Sequence, residues 1–333
     1  MQQQLKEIAQ ILLEAQHIAI ISHKNPDGDT LGSQLALGRA LQRAGKDVVL
    51  YNRDKVAEKF YFIAGANTVM QYTDGMALPE TVVFVDCAEP QLAGFQLTDA
   101  VLAGKTIINI DHHASNKQYG TYNYVVSTAG ANCQNIYHVL VAMSLPLTSD
   151  IATALYVGLS TDTGNFMYDN VSSETLRIAA ELKDLGADTD SLRLKLYESA
   201  SKKKIALMKY ILNNLHISDD GQYAWSSISH QMMEELQPES TDIDGLINTI
   251  KDIEGVEIAI LFRGVEANRT KASLRSKVWA DVNQIAGIFG GGGHVRASGV
   301  SIDGDVEYAA ALMAPVVEDI TRRHVAETES NAL

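Results

Sequence analysis

The sequence predicts an α/β protein, with a doubly wound, mainly parallel sheet in an N-terminal domain and a smaller α+β C-terminal domain. Three observations carry that expectation. Short, continuously apolar runs at 18–22, 47–51, 81–85 and 106–110 punctuate the first half, separated by helical or turn-rich stretches. Strands that are apolar along their whole length belong to sheets covered on both faces, the habit of parallel sheets. The chain is 333 residues long, about twice a common domain, so two domains are expected. After the middle of the chain the pattern changes, with strand candidates at 223–228, 256–262 and 271–275 and helices at 281–289 and 305–323.

The elements follow in order. MQQQLKEIAQILLEAQ mixes charges among apolar positions at helical spacing, which reads as an amphipathic first helix and not a signal peptide. The run at 18–22 leads into a polar loop and a helical pattern from Leu31 to Ala44, closed by Gly45. The runs at 81–85 and 106–110 are each followed directly by an aspartate. Helices are expected near 130–145, 149–160 and 172–185. The stretch 189–212, charged and containing Lys202-Lys203-Lys204, reads as a helical linker between a domain at 1–188 and one at 213–333. No internal repeat is visible, and Gly290-Gly291-Gly292-Gly293 is the one low-complexity tract.

Composition narrows the function. Hydrophobic residues make up 46% and charged residues 20%, an ordinary globular balance that excludes a disordered polymer. The net charge is −14, which argues against sequence-independent clamping of long duplex DNA. A phosphorylated substrate stays within reach if metal ions supply the positive charge. Two cysteines, Cys87 and Cys133, are too few for a disulfide framework and fit a reducing compartment. No apolar run approaches the ~20 residues of a membrane span. The expectation is a cytoplasmic protein that does not engage membranes.

The chemistry gathers where the strands end. After the first strand comes His23-Lys24-Asn25-Pro26-Asp27-Gly28-Asp29, an imidazole and two carboxylates in one short loop. Alone, Asn-Pro-Asp-Gly is simply a turn signal. Asp86 follows the third run, Asp111-His112-His113 the fourth, and Asp162 sits in Ser160-Thr161-Asp162-Thr163-Gly164 after a helix. Any one of them reads as a cap or a hydrogen-bonded core group. Together, carboxylates from four segments converge at one sheet edge, where ligands of doubly wound folds bind. Left bare they would repel one another and resist desolvation. Two divalent cations would cancel four such charges. Oxygen donors with imidazoles suit Mn²⁺ or Mg²⁺ better than Zn²⁺, since no thiolate joins the set. Gly28 and Gly32 are read as letting the backbone approach a ligand, and Cys87 as pointing into the core.

His-x-Asn-Pro-Asp-Gly-Asp, Val85-Asp86 and Asp111-His112-His113, in that order, resemble the DHH phosphoesterase superfamily. Ser273-Leu274-Arg275 and the glycine run ending at His294 are similar to its DHH-associated C-terminal domain. The layout is most similar to the NrnA-type nano-RNases and linear-dinucleotide phosphodiesterases. The resemblance implies a metal-dependent phosphodiesterase that hydrolyses short oligoribonucleotides, dinucleotides such as pApA included, from the 5′ end with water activated between two metals. It also implies 3′-phosphoadenosine 5′-phosphate phosphatase activity. His23 and Asp27 would hold one ion, Asp29, His112 and Asp162 the other, and Asp86 both. Asp111 would orient the two histidines, and His113 would face the scissile phosphate. Arg263, Ser273, Arg275, Gly292, Gly293 and His294 would bind the end phosphate, from strands and from a glycine loop. The cofactor expectation is two divalent ions, Mn²⁺ first and Mg²⁺ second; the partner is short RNA or a dinucleotide, and a homodimer is compatible with the sequence. No role is assigned to residues 130–134.

Rival readings fit less well. A manganese inorganic pyrophosphatase shares the N-terminal motifs but lacks the glycine-run histidine. A RecJ-like exonuclease would be longer. A nucleotide-sensing module would have lost metal-site positions, and none is missing here. A Rossmann dehydrogenase would carry Gly-x-Gly-x-x-Gly where this chain has carboxylates.

Overall fold

Successive side chains along the N-terminal strands feed two different cores, which is why those strands are apolar throughout. Ile18 and Ile20 enter one core, Ala19 and Ile21 the other; Val83 and Val85 join the first, Val82 and Phe84 the second. The structure, a computed structural model, describes residues 2–95 and 102–331. It divides into two units, Met1–Ser199 and Ala200–Leu333.

The first unit contains α1 (Gln2–Glu14), β1 (His17–Ile21), α2 (Gly28–Arg43), β2 (Asp47–Asn52), β3 (Met70–Gln71), β4 (Thr81–Val85), β5 (Thr106–Asp111), β6 (Tyr122–Val125), α3 (Asn132–Ala142), α4 (Ser149–Asp162) and α5 (Ser173–Asp184). Its six strands are all parallel, in the order β3-β2-β1-β4-β5-β6. This is the strand order of the doubly wound dinucleotide-binding sheet, in which the chain reverses its direction of travel between the first and fourth strands. The helices pack one core, while Tyr51, Tyr72, Leu78, Phe84 and Phe95 fill the other. The short strands β3 and β6 at the two edges were not legible in the sequence.

Helix α2 crosses α4 closely because glycines remove the obstruction. A Cβ on Gly28 would stand 2.4 Å from Thr161 Oγ1, and one on Gly32 would stand 2.4 Å from the Ala154 carbonyl. The sequence reading gave these glycines to a ligand. The structure gives them to a helix, because that space is already occupied by α4.

The second unit is a mixed sheet with helices: α6 (Lys202–Asn213), β7 (His216–Ile217), β8 (Tyr223–Ile228), α7 (His230–Leu236), α8 (Leu246–Lys251), β9 (Ile258–Glu266), β10 (Arg269–Ser276), α9 (Val282–Ile288), β11 (Gly292–His294), β12 (Ala297–Asp303) and α10 (Val306–Asn331). Its strand order is β11-β12-β10-β9-β8-β7, with only β8 and β9 parallel. Helix α6, within the stretch read as a linker, buries Leu207 and Ile211 against Ala224, Leu246 and Ile250. The glycine run is partly a strand: Gly292, Gly293 and His294 pair with Gly299, Ser298 and Ala297 at the sheet edge. Among the described residues no helix is long and apolar enough to cross a membrane.

Candidate metal centre

The site forms at the carboxyl ends of β1, β4 and β5, on the line where the order of the sheet reverses. The loop after β1 turns into α2, and Asp27 caps that helix: its Oδ1 accepts the amide protons of Asp29 and Thr30, both at 3.0 Å. Capping orients Asp27 and delivers Asp29 on the first helical turn. Asp86 follows β4 in the left-handed region at φ 52°, an uncommon setting that turns its carboxylate off the strand line. Its amide donates to the Ile110 carbonyl at 3.0 Å. Asn132 braces the same point: its side-chain oxygen accepts from Asp86 N–H at 3.1 Å, and its nitrogen donates to the Ile110 carbonyl.

Asp29 is gripped by α3. Its Oδ2 accepts from the Asn132 amide at 2.6 Å and its Oδ1 from the Cys133 amide at 2.9 Å. A helix N-terminus offers unpaired N–H groups and a partial positive charge, so a carboxylate is held there in one orientation. Residues 130–134, which carried no signal, thus supply the anchor of a central acid.

Each imidazole is also oriented. His23 Nδ1 lies 2.6 Å from the Lys24 carbonyl and His112 Nδ1 lies 3.3 Å from that of Ala129. A ring that donates from Nδ1 leaves the Nε2 lone pair for a cation, the tautomer a metal-ligating histidine needs. His112 Nε2 lies 3.8 Å from Asp29 Oδ2, 3.5 Å from Asp86 Oδ1 and 3.6 Å from Asp162 Oδ2; His23 Nε2 lies 3.5 Å from Asp86 Oδ2. These separations are too long for hydrogen bonds and suit pairs of donors sharing one ion at ~2.1 Å. Asp111 bonds His113 Nδ1 at 2.8 Å but does not reach a nitrogen of His112, so it orients one histidine and not both. Asn116, unnoticed in the sequence although it shares the loop, donates to Asp111 Oδ2 at 2.6 Å and to Asn109 Oδ1 at 2.8 Å.

The donors therefore fall into sets: His23, Asp27 and Asp86; Asp29, His112 and Asp162; and Asp86 with His112 and His113. Asp86 belongs to two of them, and its buried Oδ1 accepts no hydrogen bond from any described residue. An orphaned carboxylate oxygen facing imidazoles costs free energy unless a cation meets it. Burial, with the charges of Asp86, Asp162 and Asp27, pushes Asp29 well above the carboxylate range. Burial also pushes Asp162 to about 6, with Asp86 and Asp27 adding to the rise and His112 opposing it. Burial would raise Asp86 and lower His23, yet the attraction between the two groups outweighs it on both sides, taking Asp86 to about 2 and His23 to about 9. The upward shifts of Asp29 and Asp162 reflect their burial and the repulsion among the gathered carboxylates. The cluster's oxygens and imidazoles fit a pair of divalent ions.

In the second unit, Arg263, Ser273 and Arg275 line one cavity of ≈ 290 Å³ together with Lys271 and Asp244. Lys271 stands directly opposite Arg263 on the paired strands. Two cations so placed repel each other, which favours an anion between them. Gly292, Gly293 and His294 are exposed on the edge strand, whose outer amides pair with no other strand among the described residues.

Residues 17–159 match the model of the DHH family, N-terminal domain, and residues 222–319 that of the DHHA1 domain. Over 327 residues the chain is 31% identical to the bifunctional oligoribonuclease and PAP phosphatase NrnA of Thermus thermophilus, covering 96% of this chain and 95% of that protein. The chain belongs to the DHH family. This DHH-family chain is also 26% identical to the NrnA of Bacillus subtilis, over 86% of its own length and 89% of the relative's. Among solved structures it matches an exopolyphosphatase-related protein from Bacteroides fragilis at a TM-score of 0.88 and 25% identity, over 96% of each chain. RecJ of Thermus thermophilus, solved with Mn²⁺, shares the fold at a TM-score of 0.53 and 16% identity, over 96% of this chain and 55% of RecJ. The resemblance read from the motifs therefore extends over both domains.

Proposed function

We propose that this chain is a divalent-metal-dependent phosphodiesterase that hydrolyses short oligoribonucleotides and dinucleotides such as pApA to mononucleotides from the 5′ end, and that it also dephosphorylates 3′-phosphoadenosine 5′-phosphate. The observation that carries this reading is the convergence of His23, Asp27 and Asp86 on one side and Asp29, His112 and Asp162 on the other. Support comes from full-length relatives named for both activities. Those names favour it over the pyrophosphatase alternative.

His23 and Asp27 would hold one cation, Asp29, His112 and Asp162 the second, and Asp86 both. Mn²⁺ is the first choice and Mg²⁺ the second for such a donor set. Bound there, the pair would supply charge neutralisation at the phosphate and activation of the nucleophile. The side chains supply the rest. The Asp111 bond is the main cause raising the affinity of His113 for its proton, against burial. With Nδ1 tied to Asp111, the proton on Nε2 is available to the leaving oxygen, so His113 acts as donor and Asp111 as its orienting partner. Arg263, Ser273 and Arg275, with Gly292, Gly293 and His294, would hold the terminal phosphate. Gripping an end restricts productive binding to short strands, without any need for a long basic surface.

Purified protein supplied with Mn²⁺ should be offered pApA, 3′-phosphoadenosine 5′-phosphate, pyrophosphate and a strand of about two dozen nucleotides side by side. Rapid hydrolysis of pApA, with the long strand nearly untouched, is expected. Equal rates on long and short strands, or a preference for pyrophosphate, would overturn the assignment.

A further inference from the structure

Thr30 is fully buried on the first turn of α2, and its hydroxyl lies where three candidate ligands meet. Its Oγ1 stands 2.6 Å from His23 Nε2, 2.8 Å from Asp86 Oδ2 and 3.0 Å from Asp27 Oδ1. The Thr30 amide donates to the same Asp27 oxygen at 3.0 Å. One residue therefore touches all three members of one donor set, from a side chain with a single proton and two lone pairs.

We propose that Thr30 is a positioning residue for the cation held by His23, Asp27 and Asp86, a role that rests on the metal-centre reading above. The Asp27 and Asp86 carboxylates repel each other, and Asp86 comes from a different strand end than His23 and Asp27, so a group that touches all three helps to keep them together. A hydroxyl within hydrogen-bond distance of both carboxylates and the ring, able to donate to one carboxylate at a time, holds the three within reach of one point. A β-branched side chain on a helix has few rotamers, so the oxygen is kept in place by its own backbone. The effect is confined to one side of the cluster. Thr30 meets Asp86 through Oδ2, whereas His112 faces Asp86 Oδ1, and Asp29 and Asp162 belong to the set around His112. Outer partners of this kind typically set metal affinity by about 10–100-fold.

Mn²⁺ binding should be followed by calorimetry, and by the loss of the free-ion paramagnetic signal, for the wild type, Thr30→Val and Thr30→Ser. The wild type is expected to bind two ions. Thr30→Val, similar in shape but without the hydroxyl, should weaken one of them by about 10–100-fold and leave the other unchanged, while Thr30→Ser keeps both. The thermal midpoint of the metal-free protein serves as control, since a packing role alone would move it without singling out one ion. If Thr30→Val does not fold, Thr30→Ala is read by the same criterion. Two wild-type affinities in the variant lacking the hydroxyl, or equal weakening of both ions, would overturn the proposal for Thr30 and leave the metal centre standing. A wild type that binds no Mn²⁺ would remove both.

Discussion

Asp86 shows how much one side chain can be asked to do. It is 3% exposed, belongs to two donor sets, and is held by a left-handed backbone, Asn132 and Thr30 at once. Replacing it with alanine removes the shared acid and leaves Asp27 alone with His23, and Asp29 and Asp162 with His112. Hydrolysis of pApA by Asp86→Ala at saturating Mn²⁺ should fall by about 10³-fold or more; a rate within about tenfold of wild type would show that the centre lies elsewhere. At this scale the sequence was informative wherever a residue type announces its chemistry. His23, Asp27, Asp29, Asp86 and His112 stand out as acids and imidazoles in the segments that follow strands, Asp162 as an acid at a helix end, and the structure gathers all of them. Thr30, Asn116 and the amides of Asn132 and Cys133 did not stand out, because a hydroxyl, a carboxamide or a backbone N–H becomes meaningful only through what it touches. Thr30 alone left a trace: three residues after a capping Asp, it sits where side chains reach back toward the cap.

Among the elements, the crossing of α2 and α4 does most to build the site. It places Asp29 and Asp162 side by side, and small residues make it feasible. A Cβ on Gly158 would stand 2.2 Å from Cys133 Sγ and 2.6 Å from Asp29 Oδ1. Gly158→Ala should therefore cost about 1–3 kcal/mol of stability and weaken Mn²⁺ binding as well, because the added methyl displaces Asp29 itself. Denaturant titration and calorimetry on the same sample test both effects, and a variant as stable as wild type with undiminished Mn²⁺ affinity contradicts this packing. Strands β1, β2, β4 and β5 were legible because they are largely apolar on both faces, a pattern only a doubly covered sheet rewards. The edge strands β3 and β6 were not: Met70 and Gln71 are exposed, and Tyr122–Val125 is half-buried, so neither burial nor alternation marks them. The glycine run misled differently. Its composition suggests a loop, yet pairing with β12 asks only for an extended backbone, which glycine also adopts.

For the molecule as a whole, net charge −14 means that folding must tolerate many acids, and outside the candidate metal centre one acid held by two arginines shows how. Asp150, at the start of α4, accepts from Arg43 at 2.8 and 3.0 Å and from Arg39 on α2. Burial alone would raise its pKa; hydrogen bonds from Arg43, Thr148 and Arg39 hold it far below the usual carboxylate range instead. A group whose pKa is lower in the folded chain stabilises above its unfolded value, ~3.9 for Asp, and loses that contribution as pH falls through the folded value. Asp150→Asn should melt below wild type at neutral pH, and the two midpoints should converge as the pH drops under about 4. Midpoints that stay a constant interval apart down to pH ~2 would deny the ion pair this role.

The reversal in strand order has one more consequence, for the time at which the centre comes into being. The first histidine of the donor sets is residue 23 and the last acid residue 162, and β1 meets β4 only after some sixty intervening residues have been laid down. A growing chain emerging from the ribosome would hold His23, Asp27 and Asp86 by residue 86 but would lack Asp162 until about half of its 333 residues were made. Capture of a full pair of ions would then follow the completion of the first domain and would not wait for the second, and the ions, once seated, would act as a latch on that domain.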